Sequence, residues 1–210
     1  MNKIFAVYKP KGVSSFAVIK QLRKSWGIKK IGHAGTLDPL AQGVLVVGVG
    51  REATKKLSSE VTKEKEYIAT IKLGEYSTTD DAEGEKNKIN DYQPKKKEIK
   101  ETLSQFIGEI MQVPPNFSAI KIKGNRAYKM AREGKKIELK ARLVLIKEIE
   151  LLDYNYPFLK IRVITGPGVY IRSLARDIGQ KLGIGAYLSE LERIRVGEFK
   201  ISDCCNLIKD

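Results

Sequence analysis

The sequence predicts an α+β fold. Apolar runs with strand periodicity cluster along the chain rather than alternating regularly with helices. Residues 16–26 repeat apolar side chains at helical spacing. An ordinary apolar content, 42% of 210 residues, supplies ample chain for one large domain or a compact two-lobed one. In order, Ile4 to Tyr8 reads as a short strand. Ser14 or Ser15 caps a helix to about Trp26, with Phe16, Ile19, Leu22 and Trp26 as its buried face. Gly43 to Gly48 reads as a core strand and Arg51 to Ser58 as a short helix. Tyr67 to Leu73 alternates, placing Tyr67, Ala69, Ile71 and Leu73 on one face. Residues 76–97 are polar and read as a loop or linker, followed by a helix from about Pro94 to Phe106. Leu143 to Leu152 and Phe158 to Ile164 read as paired strands turning at Asp153–Pro157. Tyr170 to Leu182 reads as a helix ended by Gly183, and Tyr187 to Val196 as strand-rich. No internal repeat is present.

Residues 32–43 hold the only histidine of the chain, His33, three glycines, and one carboxylate, Asp38, fixed ahead of Pro39. Proline pushes Asp38 out of helical geometry, and Val44-Leu45-Val46-Val47 follows as a buried run. An acid on a tight loop braced by a core strand suits a catalytic carboxylate. The same pattern also fits an Asp-Pro turn with no function. Gly48-Val49-Gly50-Arg51-Glu52-Ala53 formally matches Gly-x-Gly-x-x-Ala of dinucleotide sites. It lacks a βαβ unit and a clear ribose-binding acid.

The formal net charge is +14, and it is unevenly placed. Residues 1–60 carry 11 Lys/Arg against 3 acids, and residues 121–142 carry 9 against 2. Such asymmetry is the footprint of a polyanion partner. No basic amphipathic helix favours a membrane surface over nucleic acid. No apolar run approaches the ~20 residues of a membrane span, and the N-terminus lacks a signal-peptide core, so a cytoplasmic protein is expected. Cys204 and Cys205 are adjacent, which makes no disulfide framework, and one histidine leaves no zinc cluster to build. Both cysteines read as spectators. Nothing resembles the Gly-x-Ser-x-Gly elbow of a serine hydrolase.

Six ordered segments resemble the TruB-type tRNA pseudouridine synthases over about residues 4–199. His33-Ala34-Gly35-Thr36-Leu37-Asp38-Pro39-Leu40-Ala41-Gln42-Gly43 resembles the family's catalytic motif. Tyr8-Lys9-Pro10-Lys11-Gly12-Val13-Ser14-Ser15 is similar to its N-terminal signature, Gly50-Arg51-Glu52-Ala53-Thr54-Lys55 to its Gly-x-Ala-Thr-Lys segment, and Lys65-Glu66-Tyr67 to its Lys-x-Tyr motif. Gln112–Lys121 with Arg126–Gly134 resembles the middle motif, and Gly168–Ser173 the last.

The resemblance implies a pseudouridine synthase fold: a mixed, mostly antiparallel central sheet flanked by helices. It also implies an inserted basic RNA-gripping segment at about residues 115–143. It implies one catalytic domain over residues 1–210, ending without the C-terminal PUA-type domain of many bacterial members. The implied reaction converts uridine 55 in the tRNA T loop to pseudouridine, by base flipping and an aspartate nucleophile, with no metal and no cofactor. By position, Asp38 is catalytic. Arg172 matches the arginine that pairs with it, Tyr67 the tyrosine that stacks on the base, and Tyr170 and Leu191 line the base pocket, with Arg193 adjacent. His33, Lys121, Lys123, Arg126, Lys129 and Arg132 are the RNA-binding set. The T-arm of tRNA is the expected partner of a monomeric enzyme. Without the resemblance, Tyr67 reads more readily as a core tyrosine and Arg172 as a surface helix arginine, and residues 121–132 read fairly as a basic helix with an apolar stripe. Two departures stand out: Thr78 replaces an acid, and Thr165-Gly166-Pro167-Gly168 replaces the more usual Ser-Lys-Gly. The alternative functions are a non-catalytic RNA-binding or RNA-folding module of the same fold, and a guide-RNA-dependent synthase.

Overall fold

The architecture grows outward from the run Val44–Val47. The computed structural model describes residues 2–122, 124–135 and 137–205, with the side chains of residues 121, 122 and 132 outside the description. The chain divides into two compact units. Residues 1–68, 162–167 and 190–210 form the first, and residues 69–161 and 168–189 the second.

The first unit contains β1 (Lys3–Lys9), α1 (Ser15–Trp26), β2 (Ile31–Ala34), β3 (Ala41–Val49) and α2 (Arg51–Val61). β4 (Lys65–Leu73) runs from this unit into the second. β1 lies antiparallel along one edge of β3, from Lys3 opposite Val49 to Lys9 opposite Gly43. The other edge is shared: β2 pairs antiparallel with residues 46–49, while residues 191–193 pair parallel with residues 41–43. Both faces of β3 are covered, which is why its sequence is continuously apolar rather than alternating. Leu45, Val47 and Val49 pack with Val18, Ile19 and Leu22 of α1. Val44 and Val46 pack with Leu57 of α2 and with Val196.

The expected face of α1 needs correction. Its buried residues are Ser15, Val18, Ile19 and Leu22, whereas Phe16 is 61% exposed. Phe16 stands on the flank, where the Arg23 guanidinium lies 5.9 Å from its ring centroid. Trp26 is a rim residue whose ring meets Phe5 at 5.6 Å. The N-cap is as expected, Ser14 accepting from the Ala17 amide at 3.1 Å. The Gly48–Ala53 match to a dinucleotide fingerprint has a packing explanation. A Cβ on Gly48 would lie 3.1 Å from the Ala53 carbonyl oxygen and 3.1 Å from Leu57 Cγ, so Gly48 lets α2 lie close against the strand.

Gly43 is the tightest position of the motif region. Its φ is +106°, and a Cβ there would sit 2.2 Å from the backbone oxygen of Arg193. Gly43→Ala is therefore expected to lose at least about 3 kcal/mol, from a left-handed non-glycine residue plus a backbone clash. A thermal melt would check this, and an unchanged melting temperature would contradict it.

The second unit contains β5 (Glu75–Ser77), β6 (Lys86–Lys88), α3 (Lys96–Ser104), β7 (Gly108–Gln112), β8 (Lys121–Ile122), β9 (Asn125–Arg126), α4 (Ala127–Arg132) and β10 (Arg142–Asn155). β11 (Phe158–Thr165) and β12 (Ala186–Val196) cross between the units' residue ranges, α5 (Ile171–Lys181) belongs to the second, and β13 (Phe199–Lys200) to the first. The main sheet has strand order β1-β3-β12-β4-β11-β10-β7, with β2 on β3 and β13 on β12. Its strands are mostly antiparallel, the β12–β3 pair being parallel, so the expected α+β class and mixed sheet hold. Tyr67, Ala69, Ile71 and Leu73 are all buried, as their alternation predicts.

Three other boundaries differ from expectation. The polar stretch 76–97 holds the β5–β6 hairpin, in register from Glu75 opposite Lys88 to Ser77 opposite Lys86. Pro94 precedes the Lys95 cap rather than opening α3, which ends at Ser104. β10 extends to Asn155, so the turn before β11 shrinks to Tyr156-Pro157.

Candidate active site

Asp38 owes its placement to short-range backbone chemistry. Pro39 and Leu40 form the corner of a turn closed by the Ala41 amide donating to the Asp38 carbonyl at 3.0 Å. The Gly12 amide donates to the Pro39 carbonyl at 2.7 Å. Ser15, buried at the start of α1, grips the preceding residue twice. Its hydroxyl donates to the Leu37 carbonyl and accepts from the Leu37 amide, both at 2.9 Å. The helix cap, the N-terminal signature and the Asp38 turn are thus one hydrogen-bonded assembly. Asp38 itself is half-buried.

Cations are packed around this turn. Arg193, 1% exposed, donates from Nε to the Val44 carbonyl at 2.8 Å and from Nη2 to the Gly35 carbonyl at 2.9 Å. Lys9 is fully buried and donates to the carbonyls of Pro10 at 2.9 Å and Val13 at 2.6 Å. Burial pushes the Lys9 ammonium down to about 8, with Arg193 adding to the effect and the Asp38 carboxylate opposing it. Lys65 falls to about 8 through burial and then Arg193. His33, on β2, is lowered by burial and then by Arg193, and its Nδ1 is buried without a hydrogen-bond partner among the described residues.

The Lys9 shift has a signed consequence. Between pH of about 8 and 10.5, the unfolded chain keeps a proton that the folded chain has released, so stability rises with pH across that window. Lys9→Met removes this contribution. The urea midpoint of the wild type is expected to rise relative to that of Lys9→Met between pH 7.5 and 10. A constant difference would contradict the burial of a charged Lys9.

Leu191 stands beside the Asp38 turn, in parallel register with Ala41, and is half-buried. Tyr67 is 6% exposed at the start of β4. Asp38, His33, Tyr67, Leu191 and Arg193 therefore belong to the first unit, and Tyr170 and Arg172 to the second.

In the second unit Gln112, 1% exposed, clamps Tyr170 at the cap of α5. Its carbonyl oxygen accepts from the Tyr170 amide at 2.9 Å, and its Nε2 donates to the Tyr170 carbonyl at 3.2 Å. That fixes the first turn of α5, from which Arg172 projects. Arg172 is buried, contrary to a surface-helix reading. Its Nη1 lies 3.6 Å from Asp81 Oδ2, with both side chains near 5% exposed. Its Nη2 donates to the Phe117 carbonyl at 2.9 Å. Asp81 Oδ1 is held in turn by the Thr79 hydroxyl at 2.5 Å and the Glu83 amide at 3.0 Å. Asp81 is a candidate site residue that the sequence alone does not single out. It falls inside the stretch read as linker, three residues after Thr78, where an acid was sought. Thr78 instead accepts the Glu85 amide at 3.1 Å inside the hairpin.

Of the basic set, Arg126 and Lys129 are exposed, and the β8–β9 hairpin places Lys121 opposite Arg126. Lys123 lies outside the described residues, as do the side chains of Lys121 and Arg132. No helix among the described residues is long and apolar enough to cross a membrane.

Comparison with known proteins gives this arrangement a family. Residues 23–171 match the N-terminal domain model of the TruB family of pseudouridylate synthases. Residues 172–209 match the tRNA pseudouridylate synthase B C-terminal domain. The tRNA pseudouridine synthase B of Protochlamydia amoebophila is 46% identical, over 98% of this chain and 78% of the relative. That of Phocaeicola vulgatus is 47% identical, over 95% and 87%. Among solved structures, a chain of an H/ACA ribonucleoprotein bound to a substrate RNA containing 2'-deoxyuridine superposes with a TM-score of 0.70 at 29% identity. The match covers 94% of this chain and 48% of that one, so the chain spans about half its length. A solved pseudouridylate synthase shares the fold, with a TM-score of 0.52 at 13% identity, over 98% of this chain and 68% of that one. The chain belongs to the TruB family of pseudouridylate synthases.

Proposed function

We propose that this chain is a tRNA pseudouridine synthase that isomerises uridine 55 of the T loop. The observation that carries the reading is the presentation of Asp38: a half-buried acid on a turn held by Ser15, Gly12 and β3 within the family's catalytic motif. The Ser15 hydroxyl bonds both the amide and the carbonyl of Leu37, which holds the backbone that presents the Asp38 carboxylate in one geometry.

In this reading the uridine leaves its stack to enter the site, since its reacting atoms are inaccessible in folded RNA. Tyr67 stacks on the base with Tyr170 and Leu191 beside it, a contact worth ~1–3 kcal/mol per base. Asp38 is the nucleophile that lets uracil detach from ribose and return through carbon. Arg172 supplies positive charge that favours the ionised acid. His33, Lys121, Lys123, Arg126, Lys129 and Arg132 contact RNA, largely through phosphates. The cytoplasm is the proposed location.

Substrate choice is tested with three RNAs: the full tRNA transcript, its isolated T-arm stem-loop and its anticodon stem-loop. Pseudouridine is expected in the first two and not in the third. Modification of the anticodon stem-loop alone would overturn the T-loop assignment.

A further inference from the structure

We propose that the Arg176–Asp80 ion pair is a positioning device that sets the Asp81–Arg172 pair, and through it the rate of the reaction. The inference rests on the isomerase reading above. Arg176 follows Arg172 by one turn of α5, so the two guanidinium groups leave the same side of the helix. Each reaches one of two consecutive acids. Arg172 meets Asp81, and Arg176 Nη1 meets Asp80 Oδ2 at 2.8 Å. Each also binds a carbonyl of the chain after β7. Arg172 takes Phe117 at 2.9 Å, and Arg176 takes Val113 at 2.8 Å. Ser173 adds a second bond to the Val113 carbonyl at 2.8 Å.

Asp80 is the unusual member. Among the described residues it is the one non-glycine with a positive φ, +61°, a conformation that costs stability unless its surroundings enforce it. Here they do. The Asp80 amide donates to the Ser77 carbonyl at 3.1 Å, its carbonyl accepts the Leu188 amide at 3.0 Å, and its carboxylate is tied to Arg176. Asp177 completes the grip, accepting from Arg176 Nε at 3.0 Å. The left-handed residue reverses the backbone immediately before Asp81, so the dihedral angles of Asp80 decide where the Asp81 carboxylate points. Arg176 is partly exposed, 28%, against 6% for Arg172. It acts from the rim on a pair that is buried.

The test compares Arg176→Met, Arg176→Lys, Asp80→Asn and the Arg176→Met/Asp80→Asn double variant. Asparagine tolerates the left-handed conformation, so Asp80→Asn removes charge with little added strain. Arg176→Met and Asp80→Asn are each expected to lower kcat by about tenfold to a hundredfold, the scale of a displacement of about 1 Å. KM for tRNA should stay unchanged, Arg176→Lys should recover part of the loss, and the double variant should be no slower than the worse single. Unchanged kcat, a rise in KM alone, or multiplied losses in the double variant would overturn the proposal. Crystal structures of the wild type and Asp80→Asn supply a readout independent of activity. The Asp81–Arg172 contact should open in the variant, and an unmoved contact would overturn the proposal. If the wild type forms no pseudouridine, the isomerase reading fails, and these structures alone decide the positioning role.

Discussion

Asp38→Asn is expected to reduce pseudouridine formation at least about 10³-fold, because removing a nucleophile closes the covalent route, while tRNA binding persists. Asparagine is nearly isosteric. The bond that closes the turn uses the Asp38 backbone carbonyl, and the Ser15 brace acts on Leu37, so neither depends on the carboxylate. The variant therefore removes the acid from an intact loop. The measurement is single-turnover formation of pseudouridine, with tRNA affinity from filter binding. An RNA-folding module of the same fold would lose nothing, so equal behaviour of the two proteins would favour that alternative.

Asp81→Asn is expected to be the next most damaging change. Asp81 and Arg172 are both buried, and removing one partner of a buried ion pair costs about 3–5 kcal/mol when the other charge loses its counter-ion. The lower end applies here, because Arg172 keeps the Phe117 carbonyl and asparagine can still accept from Thr79 Oγ1 and the Glu83 amide. With the guanidinium less fixed, kcat should fall about 100-fold, as for a misplacement of about 1 Å. Urea denaturation and kcat together check this. Wild-type turnover in a folded Asp81→Asn protein would show that Arg172 is positioned without it.

The parts of the fold legible in the sequence are those written locally. Ser14 announces its helix because a cap is a contact across three residues. β3 announces itself because both of its faces are covered. The buried face of α1 was misread because Phe16 and Trp26 are large and apolar, and size outweighed register. β5 and β6 were missed because their residues are mostly polar and exposed, leaving no periodicity to read. The site divides in the same way. The Asp38 turn is legible from glycines, proline and a following core strand, whereas the role proposed for its carboxylate comes from the family resemblance. Arg172 alone is one arginine on a helix, and its burial becomes visible only when the chain near Asp81 and Phe117 is folded against it. Gln112 lies within the middle motif, yet its role is a long-range backbone clamp on Tyr170, which no spacing rule encodes. Lys9 is the sharpest case. It counts toward the basic charge of residues 1–60, and it is fully buried.

The central claim is that this chain isomerises one uridine of tRNA. The most direct test is to incubate the wild-type protein with an unmodified tRNA transcript and map pseudouridine at single-nucleotide resolution. One new pseudouridine is expected, at position 55, and none elsewhere. A tRNA that is bound and released with every uridine unchanged would contradict it.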